Sequence, residues 1–536
     1  MEWKPTHLTY RQTGYFSRLI TDYLDQAENL SPFYSYPADA EGLRSALAAR
    51  KAGKPVDRAT LVSQLEEQYA GVLPGEFKNA SRVRENIARL GEPNTFTLCT
   101  AHQPAIFTGH LYFIYKILHT IRLAEWMAEQ HPGDHFVPVF FMGSEDADLE
   151  ELGHISLGGE TLVWETKQTG AVGRMSTKGL DKLFYRIEGE LSVQPYGQQL
   201  MAILREAYLE SPDIQTATFK MIHRLFAEWG LIVLIADRAA FKKQMIPVFE
   251  DDLFRQQPSG IVGESIDLLG QNYDIQANPR DINLFYLNND LRGRIERTGE
   301  GYKVHGSALV FTEAGLREEL QRNPERFSPN VILRGLFQET ILPNLAFIGG
   351  GGETAYWLEL KGLFDHYRTP FPVLVLRSSF QLVERQWMEK MERAGFGVDD
   401  LFRDEQDLMT ELVRRDSTQT LSLEEEIATA NQYYEGLKAL ARPVDPTLEE
   451  HVAALQVKAI EPIRLLEKKL LKAEKRKFGE QQRQIHQAKE ALFPGGHLQE
   501  RVENILPWYA LYGPGIIRSL YATTPVWGSF IVLVEP

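Results

Sequence analysis

The chain reads as an α/β protein built on an open parallel sheet, interrupted by two insertions and followed by a C-terminal helical hairpin. Three observations predict this. Apolar runs at Thr95–Ala101, Phe136–Met142, Leu231–Ala236, Leu345–Ile348 and Val373–Leu376 alternate with helix-patterned segments, the signature of βαβ units. Polar residues gather directly after two of these runs, as His102-Gln103-Pro104 and as Gly143-Ser144-Glu145-Asp146-Ala147-Asp148-Leu149-Glu150-Glu151. In an open parallel sheet that edge is where ligands bind. Beyond Ser422 the composition shifts to long, charge-rich helices.

Residues 1–94 read as a helical N-terminal portion of the core, with apolar positions at helical spacing from Asp57 to Tyr69 and an aromatic, proline-bounded loop at Ser31–Pro37. Residues 95–155 form the first half of the sheet. Leu111, Ile114, Tyr115, Leu118, Ile121 and Leu123 recur at near-helical spacing, so the crossover from Leu111 to Gln130 is a helix with one buried face. Residues 156–215 read as a first insertion, with β-like runs at Leu162–Trp164 and Leu183–Tyr185 and a helix from about Gln198 to Ala207. The core resumes over residues 216–259 with a helix from Thr216 to Trp229. The run Leu231–Asp237 then has the continuous apolar character of a strand buried on both faces. A second insertion, residues 260–327, carries short strands whose turns, Asn288-Asn289-Asp290 and Gly299-Glu300-Gly301, suit antiparallel hairpins.

The second half of the core, residues 328–420, holds Leu345–Ile348, four glycines, a helix from Tyr356 to Tyr367 and the strand Val373–Leu376. Over residues 421–493, Leu448, Val452, Leu455, Ala459, Ile463, Leu466, Leu470 and Ala473 recur at spacings of three and four, a heptad-like seam with one stutter. Pro443 and Pro446 mark the turn of an antiparallel helical hairpin, and Pro462 is expected to kink its second arm. Residues 494–536 are an aromatic tail, including Trp508-Tyr509-Ala510-Leu511-Tyr512-Gly513-Pro514, expected to dock on the core.

Composition narrows the function. The net charge of −15 and the lack of a basic surface stretch outside Lys468–Lys477 argue against nucleic acid as the main ligand. No apolar run approaches a membrane span, and no secretory leader is visible at Met1-Glu2-Trp3-Lys4, so a cytoplasmic chain without a membrane partner is expected. The single cysteine, Cys99, sits in an apolar strand and reads as a core residue. His131-Pro132-Gly133-Asp134-His135 spaces two imidazoles, but Pro-Gly breaks the helix that would align them, so no metal site is expected.

Three clusters carry candidate chemistry. Gln103, Thr108, Gly109, His110 and Lys116 surround a loop entering a helix, whose free N–H groups suit a phosphate or carboxylate, or serve only as turn chemistry. Glu145, Asp146, Asp148, Glu150 and Glu151 repel one another unless a cation or solvent offsets them, as ligand groups or as a solvated helix start. Gly349, Gly350, Gly351 and Gly352, with Glu353, Tyr356 and Trp357, permit positive φ and close ligand approach. They match neither a Walker loop nor Gly-x-Gly-x-x-Gly. Asn330 and Arg334 lie upstream, the latter suited to an anion.

These blocks resemble the BshC family, the assigned cysteine ligases of bacillithiol biosynthesis. The match runs through Gln103-Pro104 to Lys116, Gly143 to Glu151, and Asn330 to Trp357, and the resemblance covers essentially the whole chain. It implies a Rossmann-like core with two connecting-peptide insertions, similar to class I aminoacyl-tRNA synthetases, and a C-terminal α-helical coiled coil pairing subunits into a homodimer. Phe107-Thr108-Gly109-His110 keeps the final Gly-His of the synthetase signature His-x-Gly-His, and no Lys-Met-Ser-Lys-Ser-like loop is present. The implied reaction is the last step of the pathway, joining cysteine through its carboxyl group to the amine of glucosaminyl-malate. Activation of a free carboxylate implies ATP or another adenine nucleotide. On this basis Glu145, Asp146 and Asp148 are the expected catalytic carboxylates. Gln103, Thr108, Gly109, His110, Lys116, Asn330, Arg334, Glu353, Tyr356 and Trp357 are the expected substrate contacts. Gly349, Gly350, Gly351, Gly352, Tyr512 and Gly513 are the expected nucleotide contacts. The alternatives are a nucleotidyltransferase of the same fold acting on another acid, and a non-catalytic coiled-coil assembly protein.

Overall fold

The computed structural model describes residues 3–73, 81–299 and 301–536. Met1 and Glu2 of the N-terminus and Glu300 of the expected Gly299–Gly301 turn lie outside the described residues. The central sheet joins Thr95–His102, His135–Met142, Ile232–Ile235, Asn344–Gly349 and Val373–Leu376, all paired in parallel. In space the order is Val373–Leu376, Asn344–Gly349, Thr95–His102, His135–Met142, Ile232–Ile235. The chain therefore winds outward from Thr95 to Ile232, then returns to the other side of Thr95 at Asn344. Strand order reverses between Thr95–His102 and Asn344–Gly349, which makes their carboxyl ends a topological switch point.

The apolar runs form strands because both faces are covered. Val373 and Val375 pack into one layer with Phe96, Leu98, Leu345 and Ile348, while Leu374 and Leu376 face the other with Phe347. Cys99 belongs to this second layer and is fully buried, and burial pushes its thiol well above its usual range.

The crossover helix, Leu111–Gln130, is buried on more than the one face its spacing suggests: Lys116, His119 and Thr120 are buried along with the apolar stripe. The covering comes from the C-terminal tail. Phe530–Val534 forms a second sheet between Lys4–Leu8, antiparallel, and Ser379–Val383, parallel. His119 donates from Nε2 to the carbonyl of Val526 (2.9 Å) and accepts at Nδ1 from the N–H of Ser378 (3.0 Å). The N-terminal strand Lys4–Leu8 was not expected from its composition.

Between Met142 and Ile232 the chain forms a hairpin, His154–Leu157 with Glu160–Val163, and then helices. Leu183-Phe184-Tyr185 is helix, not strand. It lies within Leu180–Leu191, whose buried residues Leu180, Leu183, Phe184, Ile187 and Leu191 follow helical spacing. Between Ile235 and Asn344 an antiparallel sheet joins Leu284–Asn288, Leu291–Thr298, Gly301–Val304, Val310–Phe311 and Phe327–Pro329. Asn288 pairs with Leu291, so Asn289 and Asp290 make a two-residue turn, with Asn289 at φ 47°.

The C-terminal hairpin packs Glu424–Ala441 against Thr447–Lys475. The second arm continues past Pro462 as one helix. Its heptad seam is only partly covered, since Leu448, Leu455 and Leu466 remain exposed. The following helix, Gly479–Leu492, belongs to the core and not the hairpin: Ile485, Ala488 and Leu492 are buried there. Among the described residues no helix is long and apolar enough to cross a membrane.

Candidate active site

A cavity of about 450 Å³ opens at the switch point. The sheet supplies its floor through residues that directly follow four strands: Gln103, Gly143 with Asp146, Gly350–Glu353, and Arg377. The crossover helix adds Tyr112 and Lys116. The antiparallel sheet adds Phe285 and Arg292, the Val331–Ile341 helix adds Arg334, and the tail adds Arg501.

Asp146 is the centre of a cationic wall. It accepts from Arg334 Nη2 (3.2 Å) and Gln103 Nε2 (3.2 Å), its own loop donates through Ala147 N–H (2.8 Å), and Arg292 stands 4.0 Å away. Burial alone would raise this carboxyl, but Arg334 and Arg292 outweigh it and hold Asp146 at about 2. It stays ionised and is a weak base. Arg292 lies over the Phe285 ring, 3.8 Å from its centroid, and its buried Nε–H has no partner.

The opposite wall is built by the glycine block. None of Gly349, Gly350, Gly351 and Gly352 has positive φ. The chain enters the Gly351–Leu358 helix at once, and Glu353 folds back to accept from Gly350 N–H (2.8 Å). The same carboxylate pairs with Lys116, which also donates to the Ala101 carbonyl (3.1 Å). Lys116 is buried, not surface-polar, and burial lowers its pKa. Gly349 ends its strand against Phe347: a Cβ there would come within 2.8 Å of that ring, so close packing rather than a ligand requires this glycine. Glycine at 350 to 352 leaves the cavity side open.

Several expected contacts lie elsewhere. Glu145 is turned away from the cavity onto Lys242, whose Nζ is fully buried and also bonds Asp237 (2.9 Å) and the Glu325 carbonyl (2.9 Å). Asp148 caps the short Leu149–Leu152 helix by accepting from Glu151 N–H (3.0 Å). The helix start at Gly109 is closed by the chain itself: Leu111 N–H donates to the Glu503 carbonyl (2.9 Å), His110 Nδ1 bonds the Val502 carbonyl (3.1 Å), and Asn504 Nδ2 donates to the carbonyls of Phe107 and Gly109. Phe107, Thr108 and Gly109 run at φ 50°, 71° and 58° in this clamped turn, and Thr108 is buried beneath it. The first N–H of the helix, on Leu111, is therefore already taken by the chain itself. Trp357 is a core residue stacked on Phe347, centroids 4.6 Å apart, a contact that adds about 1 kcal/mol to its burial. Tyr512 donates to Glu535 and stacks on Trp508, and Gly513 abuts Tyr196, both remote from the cavity. Asn330 lines the cavity, but its amide is engaged: Oδ1 caps the helix at Ile332 N–H (2.9 Å) and Nδ2 donates to Asn283 (3.0 Å). Gln103, Tyr356, Arg334 and Glu353 line it as well.

The site also contains residues outside the expected contact set. His102 bonds Tyr112 through Nε2 (3.2 Å), and burial lowers it to about 4, so the imidazole is neutral. Arg377 directly follows an apolar strand, the same signal that marked Gly349. Arg292 and Arg501 carry no local signal and arrive by tertiary packing. Of the five acidic residues from Glu145 to Glu151, only Asp146 and Glu151 line the cavity. Glu151 is exposed at the rim, and partial desolvation, then the charges of Asp148 and Asp146, push its carboxyl up. The lining thus holds five cations, Lys116, Arg292, Arg334, Arg377 and Arg501, against three carboxylates, Asp146, Glu151 and Glu353. It is positive within an acidic protein.

Comparison with known proteins gives consistent matches along the chain. Residues 1–378 match the N-terminal Rossmann-like domain of bacillithiol biosynthesis BshC, and residues 380–533 match its C-terminal coiled-coil domain. A protein of Flavobacterium psychrophilum named "Putative cysteine ligase BshC" is 38% identical over 515 residues, 96% of each chain. One of Cytophaga hutchinsonii with the same name is 38% identical over 509 residues, 94% of each chain. A solved structure named "putative arginyl t-RNA synthetase" from Campylobacter jejuni aligns over 79% of this chain and 98% of its own at 9% identity, with a TM-score of 0.20.

Proposed function

Because the chain belongs to the BshC family, we propose that it is a cytoplasmic ligase that joins the carboxyl group of cysteine to the amine of glucosaminyl-malate, forming bacillithiol as the last step of that pathway. The observation that carries the reading is the cation surplus of the switch-point cavity. The malyl group brings two carboxylates, and a pocket with five cations and three acids on a chain of net charge −15 suits such a ligand. Arg292 and Arg377 both present buried Nε–H groups without a partner at this cavity, and a buried donor is stabilised by a ligand acceptor. The carboxylates Asp146 and Glu151 provide the complementary place for an ammonium group.

The chemistry forms one C–N bond. The amine nitrogen attacks the carbon of a cysteine carboxyl group activated by a nucleoside triphosphate, the C–O bond to the phosphate-bearing group breaks, that group leaves as phosphate or nucleoside monophosphate carrying the carboxyl oxygen, and the nitrogen sheds a proton. Glu151 receives that proton: it lines the cavity, and its surroundings move its pKa toward the range useful to a base. A nucleoside triphosphate supplies the activation that a free carboxylate needs. The residues suited to its phosphates are the cavity arginines, not the closed helix start at Gly109. Incubation with cysteine, glucosaminyl-malate and ATP is expected to give a product of the bacillithiol mass with nucleotide consumed in step. Product without nucleotide turnover removes ATP from the reading. No product with any nucleotide overturns the ligase assignment.

The same family reading makes the protein a homodimer through its helical hairpin. Leu440, Val444 and Val457 are 72%, 80% and 68% exposed on that hairpin, apolar surface that a second copy would cover. Leu440→Glu combined with Val457→Glu is expected to halve the mass seen by light scattering at an unchanged melting temperature. A wild-type chain that is monomeric at working concentration overturns the dimer.

A further inference from the structure

The segment from Gln499 to Asn504 brings Arg501 to the cavity lining. It is fixed at both ends. Gln499 exchanges hydrogen bonds with the backbone of Leu382 (2.9 and 3.1 Å), and Asn504 clamps the Phe107–Gly109 turn. Taking the cavity as the active site, we propose that Glu500 and Arg501 form its anion subsite. Glu500 positions Arg377 from behind, and Arg501 binds a carboxylate or phosphate of the ligand together with the free Nε–H of Arg377.

The geometry of Arg377 carries the first half. Its two Nη groups are bound bidentately by Glu500, at 2.8 and 2.7 Å, with the carboxylate fully buried. Such a fork fixes the plane of the guanidinium and leaves only Nε–H to act. That atom is buried without a partner. It faces Gly350: a Cβ at that position would stand 3.6 Å from Nε, so glycine keeps the approach clear.

Arg501 carries the second half. It follows Glu500 in the chain, lines the cavity mouth and is exposed. Its backbone N–H bonds the Leu498 carbonyl (2.9 Å), and its side chain makes no ion pair or hydrogen bond among the described residues. Arg377 is paired with Glu500, Arg334 with Asp146 and Lys116 with Glu353, whereas Arg292 stands 4.0 Å from Asp146 on another wall. Arg501 and Arg377 line the same cavity, where Arg377 stands 5.5 Å from the centroid of the Tyr112 ring. The subsite comes from the part of the chain that matches the coiled-coil domain, and so gives that region a role beyond pairing subunits.

One anionic chemistry has two sources here, the malyl carboxylates and the nucleotide phosphates, and calorimetric titration of the full chain with glucosaminyl-malate and with ATP separates them. Arg501→Gln is expected to weaken one of these ligands about tenfold or more, with Arg501→Lys recovering part and the melting temperature unmoved. The ligand that weakens names the source. Glu500→Gln is expected to weaken the same ligand and leave the other unchanged, a selectivity that general loosening of the fold does not give. If wild type binds either ligand and Arg501→Gln binds both equally well, the subsite is overturned while the cavity's assignment stands. If wild type binds neither, both fall.

Discussion

Lys242→Met is expected to destabilise the protein by about 3–5 kcal/mol, the range for removing one partner of a buried charge cluster. Lys242 Nζ is fully buried and bonds Glu145, Asp237 and the Glu325 carbonyl, while Arg174 holds Asp237 from the far side at 2.6 and 2.8 Å. Glu145 follows the strand His135–Met142 and Asp237 follows Ile232–Ile235, so the cluster ties two strand ends to the excursions that carry Arg174 and Glu325. Methionine fills the volume of the lysine stem but leaves two buried carboxylates with one cation.

The pH dependence of this loss has a definite sign. Burial works against the ionised Asp237, but Lys242 and Arg174 outweigh it and hold the group at about 2. Its stabilisation is therefore present above its unfolded pKa of about 4 and lost as pH falls toward 2. Glu145 is raised by burial even with Lys242 beside it, and without the lysine it rises further, which penalises the variant increasingly above about pH 4.5. Both effects make the gap between wild type and Lys242→Met widest near neutral pH and narrow in acid. Denaturant unfolding at both ends of that range reads it. Equal stability near pH 7 would sink the argument. Adding Glu145→Gln to Lys242→Met is expected to return part of the loss, because it removes the uncompensated charge.

The contrast between Glu145 and Asp146 shows where sequence reasoning stops. The apolar runs and the polar residues after them located the sheet edge, and Gln103, Asp146, Gly350–Gly352 and Glu353 do converge there. Neighbouring residues after a strand point to opposite sides, however, and which side meets the ligand depends on a lysine almost a hundred positions away. The Gly109 helix start failed for the same reason. Its first N–H, on Leu111, looks open in the local sequence and is taken by the Glu503 carbonyl, close to four hundred residues further on. Arg501 reaches the cavity on that same segment. Leu183–Tyr185 is a different failure, three apolar residues read as a strand when the longer window from Leu180 to Leu191 has helical period.

Glu151→Gln is expected to lower kcat for amide formation by about 10²- to 10⁴-fold, the usual contribution of a positioned base, with the KM values for cysteine and glucosaminyl-malate little changed. Glu145, Asp146 and Asp148 are the expected catalytic carboxylates of a five-member acidic cluster, Glu151 is not among them, and the structure separates the five by environment. Glu145 is committed to Lys242 and Asp148 to a helix cap, while Glu150 does not line the cavity. Asp146 does, but held at about 2 it has little affinity for a proton at neutral pH. Glu151 alone lines the cavity with its carboxyl pushed up, by desolvation first and then by the negative charges of Asp148 and Asp146. A base of this kind gives kcat/KM an acidic limb, rising as the carboxyl ionises, at a higher pH than for an unperturbed glutamate. In Glu151→Gln that limb should vanish from the residual activity. Glutamine keeps the size and the rim position, so a fall in kcat together with loss of the limb reports the proton and not the packing. A variant that retains wild-type kcat and its limb transfers the role to water or to the substrate's own groups.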